Sequence, residues 1–258
     1  MAPTLILIRH ASALHNVTKD DSMTDPSLTT YGAETECVEL AQHLQELPLA
    51  QEISLIVTSP MLRTLQTTQY GLGWLIERGV PVIPLAQLQE TTLHNCDTGR
   101  PLPILRTESP DFDWSFMDPI WPFKGSLYEY SREAILKRGQ DVRRWLRNRP
   151  ERVIAVVSHG AFLRLGMCNK KMANADYRIL DFAEARKLEN GVCEEGDETG
   201  DEEGLKLVEW ESTAANGGGL GKSSKEFFGW EKDDFKGMPN PPPEDVQDEL
   251  IRAGYLKM

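Results

Sequence analysis

The sequence predicts an α/β fold: a mostly parallel central sheet with helices on both faces. Three observations carry this expectation. Short continuous apolar runs recur at residues 5–8, 53–57, 82–85 and 153–157, as strands buried on both faces require. Segments with apolar residues at helical spacing lie between them. Gly, Pro, Ser and Thr punctuate the joints, where caps and turns need them.

Each element follows from its own residues. Leu5-Ile6-Leu7-Ile8 forms the first strand. Residues 30–45 form a helix with Cys37, Leu40, Ala41 and Leu44 on its apolar face and Thr29 or Thr30 as cap. Residues 53–57 form the second strand, and 61–78 a helix stopped by Gly79 and Pro81. A short third strand covers 82–85. Residues 91–125 are rich in Pro, Asp and aromatics without a clear period, so a long loop or cap is expected. Residues 131–148 form a helix whose Ile135, Leu136, Val142, Trp145 and Leu146 face the core, followed by a strand at 153–157, a helix at 161–168 and a strand at 177–182. The composition then changes. An acidic loop lies near 190–204, an edge strand at 205–210, and a Gly/Ser-rich linker at 214–224. Phe227, Phe228 and Trp230 follow, then the Pro run 239–243 and a short helix at 244–253. The domain division is therefore 1–212 for the catalytic body and 213–258 for linker and tail. The tail aromatics are expected to form a strap docked on the body, because exposed aromatic surface is costly in water.

Composition narrows the function. The chain has 258 residues, 40% hydrophobic, enough for one substantial core. A formal charge of -12 excludes a basic nucleic-acid-binding or anionic-membrane surface. The four cysteines, Cys37, Cys96, Cys168 and Cys193, form no C-x-x-C pair, which argues for reduced thiols in a cytoplasmic protein and against a zinc site. The run 5–8 is too short for a signal core, and no stretch is long enough to span a membrane.

The chemistry lies at the strand ends, since ligands of open α/β sheets bind outside the carboxyl ends of the strands. Arg9-His10-Ala11 follows the first strand. Thr58-Ser59-Pro60 follows the second, with Arg63 a few residues on. Glu90 follows the third, and Ser158-His159-Gly160 the fourth. Two arginines, two imidazoles and one carboxyl group at one rim suit phosphoryl transfer. Two guanidinium groups can fork onto phosphate oxygens, and a neutral imidazole can attack phosphorus. A second imidazole can donate to the transferring group. A carboxyl group beside a bound dianion holds its proton and can give it to a leaving oxygen. No metal is required.

Leu7-Ile8-Arg9-His10-Ala11, Ser59-Pro60-Met61-Leu62-Arg63-Thr64-Leu65-Gln66-Thr67 and Val157-Ser158-His159-Gly160 resemble, in order, the motifs of the histidine phosphatase superfamily, which includes the cofactor-dependent phosphoglycerate mutases. The resemblance spans about residues 4 to 183. It implies a phosphoglycerate mutase-like three-layer sandwich, no cofactor and no metal, with His10 as the phosphorylated nucleophile. Arg9, Arg63 and His159 become the phosphate pocket, Glu90 the proton donor, and Asn16 a substrate-phosphate ligand. Ala11 stands where the family more often has glycine. Ser12, and the segment Val17-Thr18-Lys19-Asp20-Asp21, depart from the mutase pattern and favour a phosphatase.

The expected function is thus a phosphomonoester phosphatase acting on a small phosphorylated metabolite. A phosphoglycerate mutase-type phosphomutase and a non-catalytic phospho-ligand-binding protein are the alternatives. His15 and His43 are expected at the surface or in packing, and Arg106 and Lys124 as surface charges. The aromatics Trp114, Phe116, Trp121, Phe123, Tyr128 and Tyr130 are expected to pack the 91–125 loop onto the body. Sugar phosphates, phosphorylated acids, nucleotides and phosphoproteins all satisfy this site, and the 91–125 segment is expected to choose among them.

Overall fold

The computed structural model describes residues 1–183, 204–226, 229–238 and 256–257. The strands are β1 (Thr4–Arg9), β2 (Ile53–Thr58), β3 (Val82–Pro84), β4 (Val153–Ser158), β5 (Tyr177–Phe182) and β6 (Leu207–Glu209). The helices are α1 (Leu14–Thr18), α2 (Cys37–Glu46), α3 (Leu62–Gly71), α4 (Gly73–Glu77), α5 (Leu102–Glu108), α6 (Arg132–Arg147), α7 (Gly160–Phe162) and α8 (Glu211–Asn216).

One six-stranded sheet has the order β3-β2-β4-β1-β5-β6. The first four positions in that order pair in parallel, and β5 and β6 add antiparallel at one edge. Alternation along each strand splits the core in two. Ile6, Ile8, Ile56, Ala155 and Val157 pack under α2 and α3. Leu5, Leu7, Leu55, Val57, Ile154 and Val156 pack under α6 and the turns after α7. Continuous apolar strands are thereby buried on both sides, and the layers are helix, sheet, helix.

Register explains where the site falls. Thr4 pairs with Val153 and each following residue in step, so Arg9 lies beside Ser158. His10 N–H donates to the Ser158 carbonyl (2.9 Å), and Ser59 N–H to the Val157 carbonyl (2.9 Å). The residues leaving β1, β2 and β4 therefore emerge side by side.

Several elements differ from the sequence expectation. The helix expected over 61–78 is two, because Gly71 and Gly73 flank Leu72, which leaves helical geometry (φ -119°, ψ 11°). Within the expected helices at 30–45 and 161–168, Gly32–Glu36 and Leu163–Cys168 widen into π turns. At the second of these, α6 approaches so closely that a Cβ on Gly139 would lie 2.2 Å from the Gly166 carbonyl oxygen. The 91–125 segment holds a helix, α5, begun by Pro101 and anchored by Leu105. Trp114 and Trp121 bury against the α3 face, while Phe116 and Phe123 stay exposed.

The linker expected at 214–224 is packed. Its start belongs to α8, which crosses the boundary placed after residue 212, and Gly217 and Gly218 turn the chain at φ of 79° and 87°. The buried Asp176 carboxylate then accepts hydrogen bonds from Leu220 N–H (2.9 Å), Lys222 N–H (3.2 Å) and Ser223 Oγ (2.6 Å). A Gly/Ser composition describes tight turns as well as flexible chain, and an anchoring carboxylate distant in sequence decides between them. Beyond it, Trp230 is buried and stacks on Phe235 (5.5 Å between ring centres), against Tyr130, Ile135 and Leu165. Arg164 forks onto the Asp234 carboxylate, and Tyr130 Oη donates to the Asp234 carbonyl (2.6 Å). Trp230–Glu231 also pairs with Leu256–Lys257. Phe227, Phe228, the acidic segment at 190–203, the Pro run 239–243 and the 244–253 helix lie outside the described residues. Among the described residues, no helix is long and apolar enough to cross a membrane.

Candidate active site

The sheet rim gathers Arg9, His10, Arg63, Glu90 and His159, as the sequence predicts. His10 is 2% exposed and leaves β1 in contact with its own loop. Its Nδ1 lies 2.7 Å from the Ala11 carbonyl oxygen. A carbonyl only accepts, so Nδ1 carries the proton and Nε2 presents a lone pair. Arg63 Nε donates to that Nε2 at 3.3 Å. Burial, then the positive charges of Arg63 and Arg9, holds the imidazole well below the usual histidine range, so it is neutral at pH 7.

His159 is fully buried, its ring centre 5.2 Å from that of His10. Its Nε2 lies 2.8 Å from Ser59 Oγ, and its Nδ1 is buried without a partner. Burial, Arg63 and His10 push it down as well. Arg9 extends past β1, with Nη1 donating to the Met172 carbonyl (2.7 Å) and Nε buried without a partner.

Arg63 sits in the first turn of α3, whose N-terminus is held by Asp25 Oδ1 accepting from Leu62 N–H (2.9 Å). The guanidinium is fixed by two further bonds. Nη1 donates to the Cys96 carbonyl (2.6 Å), and Nη2 to Asp97 Oδ1 (2.9 Å), with both ionic side chains buried. Thr92 Oγ1 donates to the other Asp97 oxygen (2.6 Å). Asp97 and Asp25 carry no recognisable signal in the sequence. Each is an isolated acidic residue in a loop, and no local spacing links Asp97 to an arginine 34 residues earlier.

Glu90 comes off the turn after β3, which Ser158 Oγ tethers by donating to the Leu88 carbonyl (2.7 Å). Its carboxyl group caps α7: Oε1 accepts from Phe162 N–H (2.9 Å) and Oε2 from Ala161 N–H (3.1 Å). Thr91 N–H adds a third bond to Oε1 (2.9 Å). Burial and the charge of Asp97 raise its pKa, against the lowering effect of those N–H groups and Arg63.

Asn16, on α1, turns Oδ1 toward Ala13 N–H (3.1 Å) and Nδ2 toward His15 Nε2 (3.0 Å). His15 therefore lines this pocket, its ring centre 6.2 Å from that of His10, and burial lowers its pKa to about 4. His43 accepts or donates at Tyr177 Oη (3.0 Å), and His94 pairs with Asp21 at the surface. Arg106 is exposed, whereas Lys124 is drawn into the site, its Nζ donating to the Glu90 carbonyl (2.8 Å). Its sequence context gives no sign of this, because a lysine between a phenylalanine and a glycine reads as surface.

This arrangement brings together two guanidinium groups, a neutral imidazole whose Nε2 lone pair faces Arg63 and a carboxyl group of raised pKa, the equipment for transferring a phosphoryl group. Residues 5–187 match the histidine phosphatase superfamily (branch 1), and the chain belongs to that family and is a phosphoric monoester hydrolase. A probable phosphatase of Schizosaccharomyces pombe is 30% identical over 169 residues, covering 63% of this chain and 76% of its own. A phosphoglycerate mutase-like protein of Arabidopsis thaliana is 30% identical over 198 residues, covering 62% and 72%. Among solved structures, the ecdysone phosphate phosphatase of Bombix mori, in complex with tungstate, shares the fold with a TM-score of 0.52. It is 15% identical and covers 69% of this chain and 89% of its own.

Proposed function

We propose that the protein hydrolyses a small phosphorylated metabolite through a phosphohistidine at His10. Arg9 and Arg63 hold the phosphoryl oxygens, joined by His159 and Asn16. Neutral His10 Nε2 attacks phosphorus in line. The N–P bond forms as the P–O bond to the alcohol breaks, and Glu90 gives its proton to the departing oxygen. Water then attacks phosphorus while the Glu90 carboxylate takes up its proton; the new O–P bond forms as the Nε2–P bond breaks, its electron pair returns to Nε2, and phosphate leaves with His10 neutral and Glu90 protonated again. The guanidinium groups meet the charge that builds on the equatorial oxygens, so the step needs no metal in the scheme.

The observation that carries this proposal is the pair of bonds at His10. Ala11 fixes the proton on Nδ1, and Arg63 aims at the same Nε2 that must attack. The cysteine content supports a cytoplasmic setting. The test is phosphate release from a panel of phosphorylated metabolites in chelator, comparing wild type with His10→Ala, together with acid quenching to trap the phosphoenzyme. Release by wild type alone, with an acid-labile phosphoenzyme, is the expected result. Equal release by both proteins would remove His10 from its role, and isomerisation without release would establish the mutase alternative.

A further inference from the structure

A chain of hydrogen bonds runs from the backbone of His10 to the side chain of His15. Asn174 Nδ2 donates to the His10 carbonyl (2.9 Å), and a carbonyl only accepts, so the Asn174 amide has a fixed orientation. The same nitrogen reaches Asn16 Oδ1 at 3.4 Å, and Ala13 N–H donates to that oxygen at 3.1 Å. A backbone N–H only donates, so the two ends of the Asn16 amide are assigned as well. Asn16 Nδ2 therefore donates to His15 Nε2 (3.0 Å), which must present a lone pair. The proton of the ring then lies on Nδ1. A second proton would set an N–H against Asn16 Nδ2, so the contact keeps the ring neutral. Burial acts in the same direction, followed by the charge of Arg63, with Asp97 and Asp21 opposing and Arg9 reinforcing. Among the described residues, His15 Nδ1 is buried without a hydrogen-bond partner. A buried N–H without an acceptor is costly, and a ligand oxygen relieves that cost.

We propose that His15 Nδ1–H donates to a non-bridging oxygen of the phosphoryl group, which makes His15 a substrate-binding residue and Asn174 and Asn16 the residues that set its tautomer. This rests on the proposed hydrolysis only for the place of the phosphoryl group, at His10 Nε2. The ring centre of His15 lies 6.2 Å from that of His10, and the two arginines whose charges act on it are the two that hold the phosphoryl oxygens in that scheme. Asn16 Nδ2 has a second N–H for the oxygen contact given to it above. The two imidazoles carry the proton on the same nitrogen for opposite ends. In His10 the Ala11 carbonyl takes up Nδ1–H and leaves Nε2 to attack. In His15 the Asn16 amide takes up Nε2 and leaves Nδ1–H to bind. The contact belongs to the phosphoryl group, so every phosphomonoester and free phosphate itself should make it.

The test uses inorganic phosphate and needs no turnover. In the full chain with isotope-labelled histidine, nitrogen NMR at pH 7 should show His15 with a proton on Nδ1 and a bare Nε2, its signals assigned by their loss in His15→Asn. Phosphate should shift the Nδ1–H signal and slow its exchange with water. By calorimetry, His15→Leu, which keeps an apolar side chain, should bind phosphate about 10- to 100-fold more weakly, the value of a charge-assisted hydrogen bond. His15→Asn can place an amide N–H where Nδ1–H stood and should recover most of that loss, which a purely structural role would not produce. A proton on Nε2, an Nδ1–H signal unmoved by phosphate, or no phosphate binding by wild type each overturns the proposal. So does an affinity unchanged in His15→Leu, or the same loss in both variants. Phosphate binding that depends on His15, in a protein whose His10→Ala variant still releases phosphate, would instead overturn the phosphohistidine and leave this ligand standing.

Discussion

The two ends of the active site are built differently. Arg9, His10 and His159 sit at or just beyond the ends of paired strands, and Arg63 on the first turn after another. Their relative positions follow from the register of β1, β2 and β4. Glu90, Asp97 and Lys124 come from the turn after β3 and the long segment behind it, held by capping bonds and by one another. The phosphoryl end is thus a rigid product of the sheet, while the leaving-group end depends on a loop. Such a division suits one reaction carried out on different alcohols, because the loop can change without disturbing the chemistry.

Variants can sharpen that contrast. The largest effect is expected from His10→Ala, which should reduce phosphate release by roughly 10^4-fold or more on every substrate, because the nucleophile itself is gone. Single-turnover assays with several phosphomonoesters would check it, and a loss that depended on the alcohol would break the contrast. Glu90→Gln should cost about 10^2- to 10^4-fold on alkyl phosphates. On p-nitrophenyl phosphate the loss should be much smaller, since that leaving group needs no proton. The sign of its pH effect also follows. In the proposed scheme Glu90 acts protonated in the first step, and its pKa is raised, so kcat/KM should fall as pH rises through that pKa. In Glu90→Gln this alkaline limb should vanish.

Asp97→Asn is expected to act more mildly. Removing the second carboxylate lowers the pKa of Glu90, so the alkaline limb should move to lower pH, the opposite of a purely structural loss. Arg63 loses one of its two carbonyl or carboxylate anchors as well, and activity should drop about 10-fold, in line with roughly 1–3 kcal/mol for one charged hydrogen bond. Thermal unfolding and a pH profile together separate the two effects. The smallest effect on catalysis is expected from Trp230→Ala, which lies in the docked strap. Burial predicts about 3–5 kcal/mol of lost stability and a lower Tm, with kcat on a single substrate nearly unchanged. An unchanged Tm would show that the strap contributes nothing to the body.

The same division separates what was legible beforehand. Arg9, His10 and His159 were readable because a buried parallel strand has a plain sequence signature, and its C-terminal end is where ligands meet such sheets. Glu90 was readable with less support, since its turn has no fixed length after the strand. Asp97, Asp25 and the inward course of Lys124 were not readable. Their partners lie 34 to 37 residues away in sequence, and a charged loop residue looks the same whether it faces water or a buried arginine. The 214–224 segment failed for a related reason. Its glycines announce turns, but only Asp176 makes those turns stay.

By itself, then, the sequence determined the sheet, the layers and the phosphoryl half of the site, because apolar periodicity and strand order are local properties that force the rest. Only the tertiary structure decided which lone charges become buried partners: Asp97 with Arg63, Lys124 beside Glu90, Asp234 with Arg164. Electrostatic pairing acts through space and carries no periodicity, so chain order leaves no trace of it until the fold brings the groups together.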